Sequence, residues 1–581
     1  EMLRSLVGSE MCIRDRPYTK YCIIGPLCKL LEAILELYLP LMMARAIDEG
    51  VAADNSGVIW QMGWQMLGIV TLGLASALVC QYVASITSQG FGTRLRNAVF
   101  QKVTSLSHAQ WDAFGTSSLV NRVTSDINQL QVAVAMLIRL VVRAPFLCIG
   151  GVIMSFAINW KLALIILATI PLFVLVIVLV MNKTTPMYRT VQKRLDRLGL
   201  ILRENLSGVR VIRAFARTKR EEERFDEAAD AHKQAAIRVG KLSALLNPVT
   251  QLIMNAAVLL IVWVGGVQIR AGDMTTGELI AFINYVNQIL LALIVVANLV
   301  VMYTKAFASA GRVLEVLETE PSIRDGEGAQ EKAGAPAVAF DHVRFSYHGG
   351  ESALEDISFS VPKGAVVGII GGTGAGKSTL IQLMLRFYDV DCGRVLLNGA
   401  DVREYPLDTL RRKIGLVPQA VELFEGTIAD NIRWGKRDAT DEEVRDAARM
   451  AQAAEFIEQK TMQYDAPVER AGVNLSGGQR QRLTIARALV RRPEILILDD
   501  ASSALDYATD AALRRAIRSG ADGMTVFMVS QRVSAVRQAD MILVMDDGRL
   551  SGVGTHEQLL QTCPVYQEIC ASQEKKGEEP A

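Results

Sequence analysis

Net charge is almost absent from this chain: 62 basic residues stand against 61 acidic ones in 581. So balanced a chain has no global field to recruit nucleic acid or an acidic partner, and any charge signal must be local. Cysteine is sparse and scattered. Cys12, Cys22, Cys28, Cys80, Cys148, Cys392, Cys563 and Cys570 show no metal-type pairing, which argues against a zinc or disulfide framework and for free thiols. Residues 1–16 contain no signal-peptide apolar region, and no peptidase-like domain is expected ahead of the apolar stretches. What is abundant is apolar character: half the residues are apolar and mean hydropathy is +0.24. The chain is too long for one ordinary core, so at least two domains are expected, one of them in lipid.

Residues 1–16, EMLRSLVGSEMCIRDR, look unlike the rest. They resemble the translation of a sequencing-adapter remnant and are expected to be a non-native leader, the alternative being a short polar leader. Six segments then have the roughly 20 mainly apolar residues a membrane crossing needs: 21–44, 58–87, 133–156, 161–182, 244–269 and 279–303. The connections near Asp48, Asn159 and Asp273 are short, whereas 88–132 and 183–242 are long, polar and helix-forming. Segment 183–242 alone carries fifteen Lys and Arg, among them Arg210, Arg213, Arg217, Lys219 and Arg220. By the bias of basic residues toward the cytosolic side, both long connections and both termini are expected there. Helical periodicity continues through these connections, which predicts membrane helices extended well beyond the bilayer.

The expected membrane domain spans 17–318. A Gly-, Pro- and charge-rich linker follows at 319–335, then a nucleotide-binding domain at 336–573 and a disordered tail at 574–581. Within the third of these, short β-rich runs (VAFDHVRFSY, VVGII, ILILDD, TVFMVS, MILVMDD) alternate with helical stretches, the pattern of a mainly parallel α/β sheet.

The run VVGII leads directly into Gly371, Gly372, Thr373, Gly374, Ala375, Gly376, Lys377, Ser378 and Thr379. This fits the phosphate-binding loop G-x-x-x-x-G-K-[ST] in its required context between strand and helix. Glycines admit backbone N–H groups to a polyphosphate at the helix N-terminus, Lys377 supplies charge to the outer phosphates, and the Ser378 hydroxyl suits Mg²⁺. About 120 residues on, ILILDD ends a buried run in Asp499, suited to hold Mg²⁺. Leu475, Ser476, Gly477, Gly478 and Gln479, followed by RQRLTIARALVRRPEILILDD, resemble the signature of the ATP-binding cassette (ABC) family.

That resemblance implies further roles. Tyr347 in FSY matches the aromatic that stacks on adenine, Gln419 in VPQ the Q-loop glutamine (also a Mg²⁺ ligand), and Ser503, Ala504, Leu505 and Asp506 the D-loop. WDAFGTSSLVNRVTSDINQL and ENLSGVRVIRAFARTKREEERF resemble the intracellular loops of exporter-type half-transporters. The fold implied is an all-α six-helix transmembrane domain followed by an α/β P-loop ATP-binding cassette. ATP and Mg²⁺ are the implied cofactors, and two cassettes pack head to tail, each ATP lying between one phosphate loop and the other chain's Ser476–Gln479 signature.

Two positions depart from the family pattern. The residue after Asp499 is usually a water-polarising glutamate, and here it is Asp500, one methylene shorter. The switch histidine is replaced by Gln531. Loss of a positioned general base costs about 10² to 10⁴ in rate, so ATP binding and hydrolysis are expected to separate. This resembles the degenerate-site subunit of heterodimeric bacterial multidrug-type exporters, with a homodimeric exporter and an ATP-gated channel or regulatory membrane subunit as the alternatives. Expected partners are a second half-transporter, membrane lipid and an unidentified exported substrate, without nucleic acid, in a bacterial plasma membrane. Glu32 and Glu36, and Arg139 and Arg143, are ionisable pairs one helical turn apart in predicted spans. They are read either as a polar lining or intramembrane pairing, or as groups near the membrane surface.

Overall fold

A computed structural model describes residues 16–501, 504–520 and 523–577. The expected leader up to residue 15, the D-loop Ser503 and the last four residues lie outside them. Two compact units emerge, one running to Thr104 and resuming over Ser117–Thr319, the other joining Ser105–Thr116 to the chain from Glu320 onward.

The first unit is helical throughout. Its elements are α1 (Arg16–Arg45) and α2 (Ser56–Ser105). After α3 (His108–Phe114), which packs with the second unit, come the helical runs α4 (Thr116–Ile158), α5 (Trp160–Ser207), α6 (Thr218–Ala271) and α7 (Thr276–Glu318). At 1.5 Å per residue, the 50 residues of α2 reach about 75 Å, more than twice a hydrocarbon core of about 30 Å. The expected helical extensions are therefore present.

Five runs, α2 and α4 to α7, are long and apolar enough to cross a membrane. The sixth expected crossing, α1, is long enough, but Lys29, Glu32 and Glu36 fall close together in it, so composition alone does not qualify it.

Short turns stop these helices for visible reasons. The Asn159 side chain accepts from the N–H groups of Lys161 and Leu162 and so caps α5. Gly272 takes a left-handed conformation after α6, and Thr275 with Glu278 forms a capping box for α7. Asp48 accepts from the Thr275 hydroxyl at 2.6 Å and from the Gly277 N–H at 2.8 Å. A Cβ at Gly277 would lie 2.3 Å from the Ala44 carbonyl oxygen, so glycine is what permits this approach. Deeper in, fully buried Tyr285 donates to the Leu37 carbonyl at 2.7 Å.

At the other end of the unit, α4 and α7 are clamped by charge. Buried Asp126 accepts from Arg312 Nε at 2.8 Å and from the Ser309 hydroxyl at 2.9 Å. Arg122 donates to the Arg312 carbonyl and pairs with Glu315, both at 2.8 Å. Burial alone would raise the Asp126 pKa, but the bonds from Arg312 and Ser309 hold it below the ordinary carboxylate value.

In the second unit the strands are β1 (Val338–Ser346), β2 (Ser352–Val361), β3 (Val366–Gly371), β4 (Cys392–Leu397), β5 (Ala400–Asp401) and β6 (Ile414–Val417). β7 (Gly426–Thr427), β8 (Pro467–Val468), β9 (Ile495–Asp499), β10 (Thr525–Val529), β11 (Met541–Asp546) and β12 (Arg549–Gly554) follow. The six-stranded sheet has order β12-β11-β3-β10-β9-β6, parallel except at the β11–β12 hairpin. Its central strands are apolar on both faces, as a doubly covered parallel sheet requires.

An antiparallel sheet, β2-β1-β4-β5, supplements the parallel one the sequence pattern predicts. Side-chain alternation marks a strand but not its partner, and the β1–β2 turn is what brings this pair together. The last helix, Pro564–Gly577, continues into the stretch expected to be disordered.

Candidate nucleotide site

Four parallel strands end side by side. Val529 is level with both Ile369 and Asp499, and Val417 with Leu498. The chain therefore leaves β3, β10, β9 and β6 on one edge, carrying the Gly371–Ser378 loop, Gln531, Asp499 with Asp500, and Gln419. The crevice beyond the carboxyl ends of such strands is where open α/β sheets bind ligands.

The loop's glycines have identifiable reasons. A Cβ at Gly371 would lie 2.2 Å from the Met545 carbonyl oxygen, and Gly374 and Gly376 have φ of +86° and +92°. Gly376 sits at the start of helix α8 (Lys377–Met384), whose apolar face joins Leu380, Ile381, Leu383 and Met384 to the core under β1 and β3. Gly372, Thr373, Gly374 and Ser378 remain exposed, whereas Ala375 and Thr379 are buried. The Tyr347 hydroxyl lies 3.0 Å from Thr379 Oγ1 and 2.7 Å from Gln382 Oε1. Its ring meets Phe345 and Tyr388 edge-on, at 4.8 and 5.3 Å between centroids. The aromatic is thus fixed beside the loop's helix.

The charges of the site perturb one another. Lys377 donates to the carbonyls of Gly371 at 3.0 Å and Gly372 at 2.6 Å. Burial lowers its pKa, opposed by Asp499 and Asp500. Burial raises Asp499, assisted by the neighbouring charge of Asp500 and opposed by Lys377. Asp500 is also raised by burial, against Arg532 and Lys377. Its backbone is left-handed, φ +49°, with its N–H bonded to the Val529 carbonyl at 3.0 Å. Arg532 is the member that motif reading missed, because only the adjacency of β9 and β10 brings it to Asp500.

Helix α9 (Gly477–Leu489) begins at Ser476, whose hydroxyl accepts from the Gln479 N–H at 3.3 Å while Gln479 Oε1 accepts from the Ser476 N–H at 3.1 Å. Gly477 is exposed, and a Cβ at Gly478 would lie 3.1 Å from the Ala504 carbonyl oxygen. Asp506 accepts from the Thr509 N–H and hydroxyl at 2.8 Å each. Those bonds, the backbone one first, hold its carboxyl below the ordinary value, and they cap helix α10 (Tyr507–Gly520). Leu475 and Leu483 belong to a second core with Val444, Phe456 and Leu498, distinct from the core beneath the phosphate loop. Among the described residues, no hydrogen bond joins Ser476–Gln479 to that loop.

The donor set fits Mg²⁺. Ser378 offers an exposed hydroxyl, Gln419 an exposed side-chain carbonyl just past β6, and Asp499 a carboxylate, all hard oxygen donors of the kind this ion takes.

α3 packs within the same unit. The His108 ring packs at a tilt of 46° against Phe387, 4.1 Å between centroids, Tyr388 donates to Asp112 at 2.6 Å, and Ser107 and Ser322 share a hydroxyl bond of 2.6 Å. Phe387 and Tyr388 follow α8 directly, so the helix from the first long loop rests just beyond the phosphate-loop helix.

Known proteins match both halves. Residues 22–293 match the family described as ABC transporter transmembrane region, and 354–503 the family described as ABC transporter. The chain is 39% identical over 559 residues to an uncharacterized ABC transporter ATP-binding protein of Bacillus subtilis (strain 168), covering 96% of this chain and 97% of that one. It is 33% identical over 552 residues to the ATP-dependent lipid A-core flippase of Chromohalobacter salexigens, covering 95% of each. Among solved structures, a bacterial Atm1-family ABC exporter with ATP bound is similar with TM-score 0.81 at 27% identity, over 98% of this chain and 100% of that one.

Proposed function

The chain belongs to the ABC transporter family, a multi-pass exporter with a fused ATPase cassette, and we propose that it is the slow-site subunit of a heterodimeric exporter. One observation carries this reading: the sheet edge that presents an intact Lys377, Ser378 and Asp499 presents Asp500 and Gln531 where the family has glutamate and histidine. In this reading the loop 371–378 holds the phosphates, Thr379 and Lys377 begin the helix that faces them, and Tyr347 stacks on the adenine. Mg²⁺, when bound beside Ser378, Gln419 and Asp499, neutralises phosphate charge.

Asp500 is the residue left to orient water, with a shorter reach than glutamate and a carboxyl pKa raised by burial. Gln531 supplies an amide in place of an imidazole. The separate core of Ser476–Gln479 supports completion of each site by a second chain, whose phosphates would meet the Ser476 hydroxyl and the α9 N-terminus. Asp506 holds the adjoining turn. α1 makes the sixth crossing, both termini face the cytosol, and the domains divide at 318 and 335, in a bacterial plasma membrane.

The test is turnover by the purified chain alone. Nucleotide should bind while hydrolysis stays slow, and Asp500→Glu with Gln531→His should raise the rate by about 10² or more. Rapid hydrolysis by the unmodified chain would sink the proposal.

A further inference from the structure

Two helices of the second unit start beside the loops that carry Asp506 and Gln531. α10 begins at Tyr507, directly after Asp506, and α11 (Val533–Val536) begins just past Gln531. A cavity of about 260 Å³ lies between them, over the sheet. That is slightly below the roughly 300–1,000 Å³ of small-molecule sites, so one ring system fits it. None of residues 371–378 lines it.

The floor is apolar. Val366 of β3 and Val526 of β10 stand level on adjacent parallel strands, and Met528 follows on the same face of β10. Ala511 and Ile517 close the floor from α10, and Ala535 closes it from α11.

The walls are cationic. Helical spacing puts Asp510, Arg514 and Arg518 on the same face of α10 as Ala511 and Ile517, with Arg515 at its edge. Arg514 is committed: it pairs with Asp510 and donates to the carbonyls of Ser534 at 3.0 Å and Ala535 at 2.7 Å, tying α10 to α11. Arg518 donates through one nitrogen to the Gln538 carbonyl at 2.5 Å. Among the described residues, Arg515 gives only its Nε, to the Ala511 carbonyl at 3.3 Å. Both guanidinium groups therefore keep donors for a ligand. With three arginines against Asp510 alone, the lining is positively charged, and Ser534 and Gln538 add a hydroxyl and an amide on the α11 side.

An apolar floor with a few convergent polar groups is the make-up of a small-ligand site. The surplus charge selects an anion, and guanidinium matches a carboxylate through paired N–H donors. An inorganic anion would leave the floor unused.

We propose that this cavity is a regulatory site for an aromatic carboxylate, which bridges α10 and α11 and so fixes the spacing of the loops that carry Asp506 and Gln531. The ring lies on Val526 and Met528 while the carboxylate accepts from Arg515 and Arg518. The consequence for turnover rests on the ATPase reading above; binding itself does not.

The test is equilibrium dialysis of 2-naphthoate against the full chain in nanodiscs of zwitterionic lipid, with empty nanodiscs as the blank. 2-Naphthalenemethanol, the same ring with a neutral head, is the comparison. The acid should bind about tenfold or more tightly than the alcohol, as expected for charge-assisted hydrogen bonds. Neither a non-hydrolysable ATP analogue nor inorganic phosphate at matched concentration should displace it. Arg515→Gln with Arg518→Gln should remove the preference, and hydrogen-exchange protection over 507–518 and 533–538 should rise severalfold with naphthoate bound. Equal binding of acid and alcohol to the unmodified chain, displacement by the ATP analogue, or an unchanged preference in the double variant would overturn the site. Displacement by phosphate would overturn its aromatic part, and unchanged protection its bridging part. The head-group comparison on the unmodified chain decides even where the double variant does not fold. Binding of the ATP analogue to the same preparation is read separately, so failure of the ATPase reading is distinguishable from failure of this site.

Discussion

Replacing Asp126 with Asn removes one negative charge from the clamp that joins α4 to α7, at the residue that meets both Arg312 and Ser309. The carboxylate accepts from Arg312 twice and from Ser309 once. A hydrogen bond to a charged group contributes about 1.5–3 kcal/mol net, and loss of one partner from a buried pair costs about 3–5 kcal/mol. Two facts reduce that figure. The Arg312 side chain is 49% exposed, so its charge can be resolvated, and an exposed partner lowers a pair toward about 1 kcal/mol. Asn also retains one carbonyl acceptor.

The expected loss is about 2 kcal/mol, which for a unit of this size lowers the unfolding midpoint by about 3 °C. The assay is thermal unfolding of the full chain in detergent at one fixed scan rate, for Asp126→Asn, Arg312→Gln and the double variant. The double variant should lose clearly less than the sum of the singles, since both remove the same bonds. The folded-state pKa of Asp126 is depressed, so its contribution is complete above the ordinary 3.8 and is lost as pH falls from there through the lower folded value. Additive losses, or a shift below about 1 °C in Asp126→Asn, would refute the reasoning.

Other expectations follow from the same geometry. Lys377→Ala should abolish binding of a fluorescent ATP analogue while leaving the unfolding midpoint of the apo chain within about 2 °C, because its only bonds among the described residues are to the Gly371 and Gly372 carbonyls of its own loop. Gly277→Ala should destabilise by about 2 kcal/mol or more, since the added methyl meets the Ala44 backbone. Unfolding as above checks this, and Gly199→Ala, where a Cβ meets nothing within 4 Å, is the control. The packing of α3 should weaken with acid. Burial, then the charge of Arg411, lowers the His108 pKa against the opposing effect of Asp112. Its contribution is therefore present above the ordinary 6.5 and lost as pH falls through the lower folded value. Hydrogen-exchange protection factors over residues 105–116, corrected for the intrinsic pH dependence of exchange, should fall from pH 7.5 to 5.5, and His108→Phe should flatten that dependence.

Much of this was legible without coordinates because its signals are local. A phosphate loop between a strand and a helix is a contiguous pattern, and twenty apolar residues in a row announce a lipid environment whatever their neighbours. The sites of Asp499, Asp500 and Gln531 could be named from motifs for the same reason. α1 marked the limit of composition as evidence: Lys29, Glu32 and Glu36 in its predicted span count against a crossing, yet the two carboxylates are met by a lysine on the same helix and an arginine over a hundred residues away.

The rest depended on contacts between segments distant in sequence. Strand order put Arg532 beside Asp500 and lined four strand ends on one edge. Packing assigned α3 to the cassette's unit, though by sequence it lies between two membrane helices. The pairing of Arg143 with Glu36, and the lack of a partner for Arg139 among the described residues, likewise required the helices to be assembled. The sequence by itself determined which chemistry the chain carries, since backbone periodicity and motif spacing act within a few turns. Only the tertiary structure decided which charges neutralise one another, because burial and separation set electrostatic energy, and neither is a property of position along the chain.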